Sequence, residues 1–198
     1  YLESGQLTNE ELLRGLKAII RSEAYVPVFV AAAGHEVGVL PLLDAVINLF
    51  PSPKEIKEVT AQGKNGEEIL VADDSGPLAL YVWKTTADPF VGRLTYFRIY
   101  SGALQGDARI WNQVKNTEER MAGLSILRGK EAMPVKVLHS GDIGIVAKLG
   151  STSTGDTLSD KGHPLTLPIP KYPSALFRVA IKPKTQADAA KISPTLTR

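Results

Sequence analysis

The sequence predicts a mainly β protein whose central part, residues 77–166, forms an antiparallel β-barrel. In this region short runs of β-branched and aromatic residues alternate with turn signals, and no long helical pattern interrupts them. The beginning of the chain shows helical periodicity instead, and the end carries one strand-like and one helix-like run. The chain contains no cysteine. Because no disulfide can staple a sandwich, a barrel is the favoured arrangement, preceded by an α/β tail and followed by an incomplete unit.

The start of the chain has the pattern of a helix, a strand and a second helix. Thr8 stands three residues before Glu11, which is the spacing of a capping box, and apolar residues follow at helical intervals over 8–23. The apolar run 26–31 predicts a strand buried on both faces of a parallel sheet. A second helix is expected over 41–50, where prolines stand near both ends. These elements are too few for a complete α/β domain.

The barrel region is predicted to contain short strands joined by tight turns. In one of them, alternation places Thr95, Phe97 and Ile99 on the face opposite to the residues between them. Three Gly-Asp pairs fall where turns are needed, because Gly accepts positive φ and Asp bonds its own nearby backbone. The predicted strands cover residues 78–85, 94–100, 108–114, 135–138, 143–149 and 157–158, and the Gly-Asp pairs stand at 106–107, 141–142 and 155–156.

The segments on either side of the barrel have weaker patterns. Residues 54–76 resemble a linker, although Asn65-Gly66 suits a small hairpin with a type I′ turn. After the barrel, 175–182 predicts a strand and 186–196 has weak helical character, which Pro194 is expected to disrupt. One strand and one helix cannot bury a core alone.

No constellation of catalytic or metal-binding residues is visible. The three histidines, His35, His139 and His163, lack a second ligand at metal spacing. The hydroxyl-rich run 151–154 has no histidine or lysine partner that could activate it. The sequence contains no G-x-x-x-x-G-K-[ST] loop for nucleotide phosphates. No apolar run approaches the ~18–20 residues that span a bilayer. We therefore expect no catalytic residue, no metal site and no membrane partner in this chain.

Charge is unevenly distributed along the chain. The net charge is −6 over residues 1–76, +3 over 77–166 and +5 over 167–198, which sum to the overall +2. A basic second half could face a polyanion, because phosphate binding is mostly independent of sequence. An ordinary solvated surface is the alternative interpretation.

A resemblance to a known family rests on several motifs in matching order. Residues 88–102, Asp-Pro-Phe-Val-Gly-Arg-Leu-Thr-Tyr-Phe-Arg-Ile-Tyr-Ser-Gly, resemble the segment that enters domain II of elongation factor G. The helix predicted over 41–50 resembles the last helix of that family's GTP-binding domain. Further matching segments stand at 38–39, 51–53, 141–143, 154–158 and 180–184. The resemblance covers essentially the whole chain.

The resemblance implies a layout in four parts. Residues 1–53 would be the C-terminal part of the GTP-binding domain, 54–76 a linker, 77–166 the domain II barrel, and 167–198 the start of a ferredoxin-like domain III. The full-length protein would be a cytoplasmic translational GTPase that promotes ribosomal translocation of tRNA and mRNA. It would use GTP or GDP with Mg²⁺, whereas this fragment would supply scaffold and docking surface without catalysis. Two alternatives stay open: a paralogue acting in ribosome protection or recycling, and a non-enzymatic RNA-binding β-barrel.

The resemblance also implies candidate contact residues. Ala32 and Ala33 match a Ser-Ala element whose backbone amides surround the guanine in such GTPases, although the serine is missing here. A plain strand-to-loop junction is the alternative for these two residues. Domain II of the family lies against the small ribosomal subunit and beside the GTP-binding domain and domain III of the same molecule, so basic residues are expected on ribosomal RNA phosphates. Arg93 and Arg98 lie within the 88–102 motif and are expected to pack their stems along the barrel wall. The RNA-contact candidates are Arg109, Lys115, Arg120, Arg128, Lys130 and Lys148.

Overall fold

The chain divides into two compact units, Tyr1–Lys57 and Glu58–Arg198. A computed structural model describes residues 5–56, 58–88 and 91–196, so Pro89 and Phe90 of the 88–102 motif lie outside the described residues. None of the helices in the described ranges is long and apolar enough to cross a membrane.

The first unit contains two α-helices, as the periodicity predicted. Helix α1 (Asn9–Arg21) begins at a complete capping box, in which the Glu11 amide donates to Thr8 Oγ1 at 3.3 Å and the Thr8 amide donates to Glu11 Oε2 at 2.9 Å. The Thr8 amide, and next the Thr8 hydroxyl, donate to the Glu11 carboxylate and lower the pKa of Glu11 from its ordinary value. Helix α2 (Val39–Leu49) follows Gly38, whose φ of +77° suits glycine. Short 3₁₀ turns occupy Ala33–His35 and Pro53–Glu55.

The prediction of a buried strand over 26–31 is wrong for this structure. The side chains of Val26, Val28 and Val30 are 84%, 86% and 93% exposed, and no strand is formed there. A strand is stable only when neighbouring backbone bonds its N–H and C=O groups. Residues 26–31 have no such bridge within the described ranges, and the next residue, Ala32, forms an isolated bridge with Val37.

The second unit is mainly β, which confirms the predicted fold class. Its main sheet has eight antiparallel strands in the order β7-β6-β12-β3-β4-β11-β8-β9, and two further pairs, β1-β2 and β5-β10, stand beside it. The strands are β1 (Val59–Gly63), β2 (Gly66–Leu70), β3 (Ala79–Asp88), β4 (Gly92–Ser101), β5 (Leu104–Gln105), β6 (Arg109–Asn112), β7 (Thr117–Arg120), β8 (Ser125–Arg128), β9 (Glu131–Pro134), β10 (Val137–Leu138), β11 (Ile143–Ala147) and β12 (Thr157–Ser159).

The sheet curls around a hydrophobic core whose centre is the long β3–β4 pair. Alternation along β4 is as predicted, since Thr95, Phe97 and Ile99 are fully buried and the residues between them are half-buried. From β3, Leu80 and Val82 enter the same core and are fully buried. Each such apolar side chain contributes roughly 1.5–3 kcal/mol to stability on burial.

The short β5–β10 pair closes the barrel where two hairpins meet. The Gly106 amide, next to β5, donates to the carbonyl of Lys136 at 2.7 Å. Further backbone bonds extend the hairpins toward this point, from Met121 to Ala108 in the β6–β7 hairpin and from Val135 to Leu124 in the β8–β9 hairpin. The ring of strands therefore continues through β5 and β10, although its ladder contains only two residue pairs there.

The segment interpreted as a linker, 54–76, is largely folded, and this is a correction. Strands β1 and β2 form a hairpin whose two-residue loop is Lys64-Asn65, one residue earlier than the Asn65-Gly66 turn expected. The hairpin buries Ala61 and Leu70 in a second apolar cluster with side chains of the barrel wall and of the segment after β12. The cluster contains Ala61, Leu70, Ala79, Tyr81, Leu165 and Leu167, with Val59 and Tyr100 at its margin.

The end of the chain forms a helix but no strand. Residues 175–182 lie outside any sheet, and Leu176 and Phe177 are 100% and 80% exposed, so the strand predicted there is wrong for the same reason as at 26–31. Helix α3 (Gln186–Leu196) is present, as its weak periodicity indicated. It extends past Pro194, so the disruption expected from that residue does not occur.

Candidate nucleic-acid interface

Glu119 on β7 holds the loop that follows β11. Its carboxylate accepts hydrogen bonds from the backbone amides of Gly150, Ser151 and Thr152 at 3.2, 2.8 and 3.0 Å. It also accepts one from the Thr152 hydroxyl at 3.1 Å. Three successive amides directed at one anion make a compact turn, so Glu119 fixes the shape of this end of the barrel. The sequence pattern gave no sign of this role, because Glu119 lies in an acidic pair typical of a solvated surface.

A buried polar network continues from this loop into the barrel. Asn112 Nδ2 donates to Asp156 Oδ2 at 2.9 Å and to Thr152 Oγ1 at 3.3 Å, and all three residues are buried. Asp156 also accepts from the amide of Ser153 at 2.8 Å, next to Gly155 at φ +94°. The turn role predicted for this Gly-Asp pair is therefore confirmed, and the carboxylate is occupied by structural bonds.

The six predicted RNA-contact residues do not form one cluster. Arg109, Lys115 and Arg120 belong to the β6–β7 hairpin, Arg128 and Lys130 to the tip of the β8–β9 hairpin, and Lys148 follows β11. Strands β8 and β11 run antiparallel with Ser125 opposite Ile145. From Ser125, β8 continues toward the Ile143 end of β11, so the hairpin tip with Arg128 and Lys130 lies near that end. Lys148 follows the opposite end of β11.

Two of the six are paired with carboxylates of the same unit. Arg109 contacts Glu118 at 2.9 Å, and Arg120 contacts Asp107 at 3.0 Å. The other four have no carboxylate partner in the part of the chain that the structure describes. An exposed Arg–carboxylate ion pair has little net charge with which to attract an RNA phosphate. The four unpaired residues are therefore the stronger candidates for RNA contacts. They are Lys115, Arg128, Lys130 and Lys148.

The histidines of the barrel unit serve as links between segments. His139 Nδ1 lies 2.8 Å from Asp74 Oδ2, and His163 Nε2 lies 2.6 Å from Glu68 Oε2. The Ser140 amide, followed by the His139 ring, lowers the pKa of Asp74 from its ordinary value. Among the described residues no group of His, Asp and Glu is placed to hold a metal ion.

The backbone around Ala32 and Ala33 is only partly available for a ligand. The Ala32 amide donates to the Val37 carbonyl at 2.9 Å, and the Ala32 carbonyl accepts from His35. Ala33 opens a 3₁₀ turn, and its amide makes no hydrogen bond within the described ranges. Of the two residues predicted on the guanine side, only Ala33 has a backbone donor left for a nucleobase.

Sequence reasoning missed three cation–aromatic contacts on the barrel surface. Lys84 lies over the ring of Tyr96, Arg98 over Tyr100, and Lys161 over Trp111, at 5.2–5.6 Å from the ring centres. The alternation in β4 already placed Tyr96, Arg98 and Tyr100 on one face, so this alternation was the available signal. The guanidinium of Arg98 covers an aromatic ring, a contact that the expected packing of its stem did not include.

Comparison with known proteins agrees with this architecture. A family model described as elongation factor G domain 2 matches residues 77–161. A crystal structure of a protein from Thermus thermophilus is similar to the chain, with a TM-score of 0.75 and 28% sequence identity. That similarity covers 100% of this chain and 27% of the Thermus protein, so the chain spans about a quarter of that protein's length. Residues 77–161, which form most of the barrel, are therefore similar to domain 2 of elongation factor G.

Proposed function

We propose that this chain is the domain II region of a translational GTPase similar to elongation factor G, and that it acts as a scaffold and ribosome-docking surface. The match of residues 77–161 to elongation factor G domain 2 is the observation that supports this function. Residues 1–53 would then close a GTP-binding domain, and 167–198 would begin a domain III. The longer protein would hydrolyse GTP in the cytoplasm and promote ribosomal translocation of tRNA and mRNA.

The N-terminal unit supports a limited part in nucleotide binding. The unpaired amide of Ala33 would face the guanine, whereas the Ala32 amide is already engaged. No phosphate loop occurs in the sequence, so the phosphates and Mg²⁺ of GTP or GDP would be held by residues outside this chain. The chain alone is expected neither to hydrolyse GTP nor to bind guanine nucleotides, and saturable micromolar GDP binding in calorimetry would contradict this.

The ribosomal contact would be electrostatic and spread over the ends of the barrel. The four unpaired cations named above would lie on phosphates of small-subunit ribosomal RNA, and Arg109 and Arg120 would contribute less because carboxylates already face them. Such contacts position the protein on RNA without reading its sequence.

Binding of the 198-residue chain to isolated small ribosomal subunits tests this proposal. Binding should weaken steeply as salt rises, because each phosphate contact releases counterions. The double change Arg128→Ala with Lys130→Ala should reduce both the affinity and the salt dependence. The matched change Arg109→Ala with Arg120→Ala, which removes the same charge from paired positions, should have the smaller effect. Binding that is absent at low salt, or unchanged across the salt series, would show that the barrel does not dock in this way.

The task of the longer protein can be separated from that of a specialised paralogue. Translocation and ribosome recycling would be measured in parallel on the full-length protein with GTP. Stimulated translocation is expected, whereas recycling or ribosome protection without translocation would favour the paralogue.

A further inference from the structure

We infer that the outer wall of the barrel binds unpaired nucleobases of single-stranded RNA on a surface formed by Trp83, Lys84, Tyr96, Arg98 and Tyr100. We call these five residues the aromatic wall. The inference rests on the proposed RNA-docking function and deepens it, because it names a second kind of contact that reaches bases instead of phosphates alone. It also uses none of the six cations considered so far.

The two long strands of the barrel bring these five residues together. Tyr96, Arg98 and Tyr100 occupy alternate positions of β4 and therefore share its outer face, about 6.8 Å apart from one to the next. Strand β3 places Lys84 directly opposite Tyr96. The ladder is irregular between Val82 and Lys84, and the ring of Trp83 lies 5.5 Å from that of Tyr96 at an angle of 53°.

Both cations of the aromatic wall lie over rings and have no carboxylate partner. Lys84 Nζ is 5.6 Å from the ring centre of Tyr96, and Arg98 Cζ is 5.3 Å from that of Tyr100. No ion pair is formed by either residue within the described ranges. The wall therefore carries two uncompensated positive charges beside three aromatic rings.

A third cation–aromatic contact differs from these two because its cation has an acidic partner. Lys161 lies 5.2 Å from the ring centre of Trp111, but its ammonium group is also 3.8 Å from Glu118. The charge that would attract a phosphate is therefore largely compensated there. Lys161 and Trp111 provide a matched control inside the same molecule.

The aromatic wall is accessible at the end that carries Trp83, whereas Tyr100 at the other end packs against the second apolar cluster. Trp83 is 42% exposed and Lys84 is exposed, while the three residues of β4 are half-buried. On the neighbouring strand, Ile143 stands opposite Arg98 and Ile145 opposite Tyr96, so no acidic residue enters the ladder here. Ile143 is itself 55% exposed and extends the apolar surface.

A ligand of this surface must supply negative charge for the two cations and flat apolar faces for the aromatic rings, and single-stranded RNA supplies both. An apolar protein partner would bury the charges of Lys84 and Arg98 without compensation, which is costly. A duplex would supply phosphates, but its bases are stacked inside the helix and cannot lie on the rings. A single strand offers phosphates for the two cations and base faces for the aromatic rings, and such base–aromatic stacking tolerates any sequence.

Tryptophan fluorescence of the 198-residue chain tests the inference directly. The chain has two tryptophans, so the change Trp111→Phe leaves Trp83 as the only reporter. Addition of a twelve-nucleotide single-stranded RNA of mixed sequence should quench this fluorescence saturably. The same RNA annealed to its complement should bind at least about tenfold more weakly, because stacking is then lost.

Variants of the aromatic wall should lower affinity where the control does not. Measured by anisotropy of labelled single-stranded RNA, Trp83→Ala should weaken binding by about tenfold or more. Arg98→Ala and Lys84→Ala should each weaken binding and reduce its salt dependence. The control Lys161→Ala removes the cation that lies over Trp111 and beside Glu118. It should change affinity less than about twofold. Circular dichroism of each variant, expected to match the unchanged chain, verifies the fold.

Three results would overturn the inference. One is equal affinity for the single strand and the duplex. Another is a Trp83→Ala or Arg98→Ala variant that binds the single strand as tightly as the unchanged chain. A third is displacement of the RNA by poly-glutamate at equal charge concentration, which would identify an acidic protein surface as the occupant.

Binding to small ribosomal subunits is measured on the same samples to separate this inference from the proposed function. If the subunits bind and the single-stranded RNA does not, only this inference is wrong. If neither binds, the proposed function is wrong as well.

Discussion

Replacing Glu119 by alanine tests whether one carboxylate holds the loop after β11. The change removes the acceptor of four hydrogen bonds, three of them from successive backbone amides. The amides of Gly150 and Ser151 belong to exposed residues and can turn to water, so their loss costs little.

The cost comes mainly from Thr152. This residue is fully buried, and its amide donates to Glu119 Oε1, so the change leaves a buried N–H without a partner. An unsatisfied buried donor costs about 1–3 kcal/mol. The Thr152 hydroxyl keeps its contact with Asn112 and adds little to this sum. We therefore expect the free energy of unfolding of the barrel unit to fall by about 2 kcal/mol.

Denaturant unfolding followed by tryptophan fluorescence measures this value, because Trp83 and Trp111 both lie in the barrel unit. The matched control is Glu118→Ala, one residue earlier. Glu118 makes only ion pairs with Arg109 and Lys161, so its removal should cost less than about 1 kcal/mol. Equal losses for the two variants, or a loss below about 0.5 kcal/mol for Glu119→Ala, would refute the assignment of this role to Glu119.

Further predictions concern packing and pH. Gly144→Ala should destabilise the barrel by about 1–3 kcal/mol in the same unfolding assay, because a Cβ there would collide with Leu138 and with the ring of Phe97; an unchanged midpoint would contradict the packing. Burial, and next the nearby Tyr172, raises the pKa of Tyr81 to about 12 from 10.0. Since the folded state retains this proton, stability should decline as pH rises from about 10 toward 12. Tyr81→Phe should abolish that decline, and because the buried hydroxyl has no hydrogen-bond partner among the described residues, it should change stability at pH 7 by less than about 1 kcal/mol. The pKa of Asp74 is lowered from 3.8, so its contribution to stability is present above that pH and lost as pH falls through the lower, folded-state value. Asp74→Asn should therefore weaken the barrel more near pH 6 than at pH 2, and a loss of equal size at both values would exclude this linkage.

Much of the fold could be predicted because local signals and packing agree. The capping box at Thr8 and the alternation around Phe97 were visible in the sequence and are present in the structure. Short strands such as β5 and β7 were missed, because two to four residues carry too little periodicity to separate them from turns. The runs 26–31 and 175–182 look like strands by composition, but strand formation depends on partners that composition does not specify.

The candidate site was less predictable than the fold. Charge alone singled out Arg109 and Arg120. The acidic side chains that neutralise them, Glu118 diagonally across the β6–β7 hairpin and Asp107 just before β6, are brought near only when the hairpin folds. The aromatic wall depends on how β3 and β4 align, including the irregularity beside Trp83. One residue of slippage would move every side chain of a strand to the other face, so a sequence without known pairing cannot place such a surface.

The hairpin formed by β1 and β2 has a mechanical consequence. The unit begins with β1, and the segment after β12 returns to the same strand, where Gln62 and Thr166 exchange two backbone hydrogen bonds of 2.8 and 2.9 Å. Because this bridge is antiparallel, the residues before Gln62 and those after Thr166 depart from the same side of it. If the two segments were pulled apart, the two hydrogen bonds would break one after the other, as in unzipping. They would not have to break at the same time, as they would under shear. Relative movement of the two flanks can thus be absorbed at this seam while the interior around Phe97 stays intact.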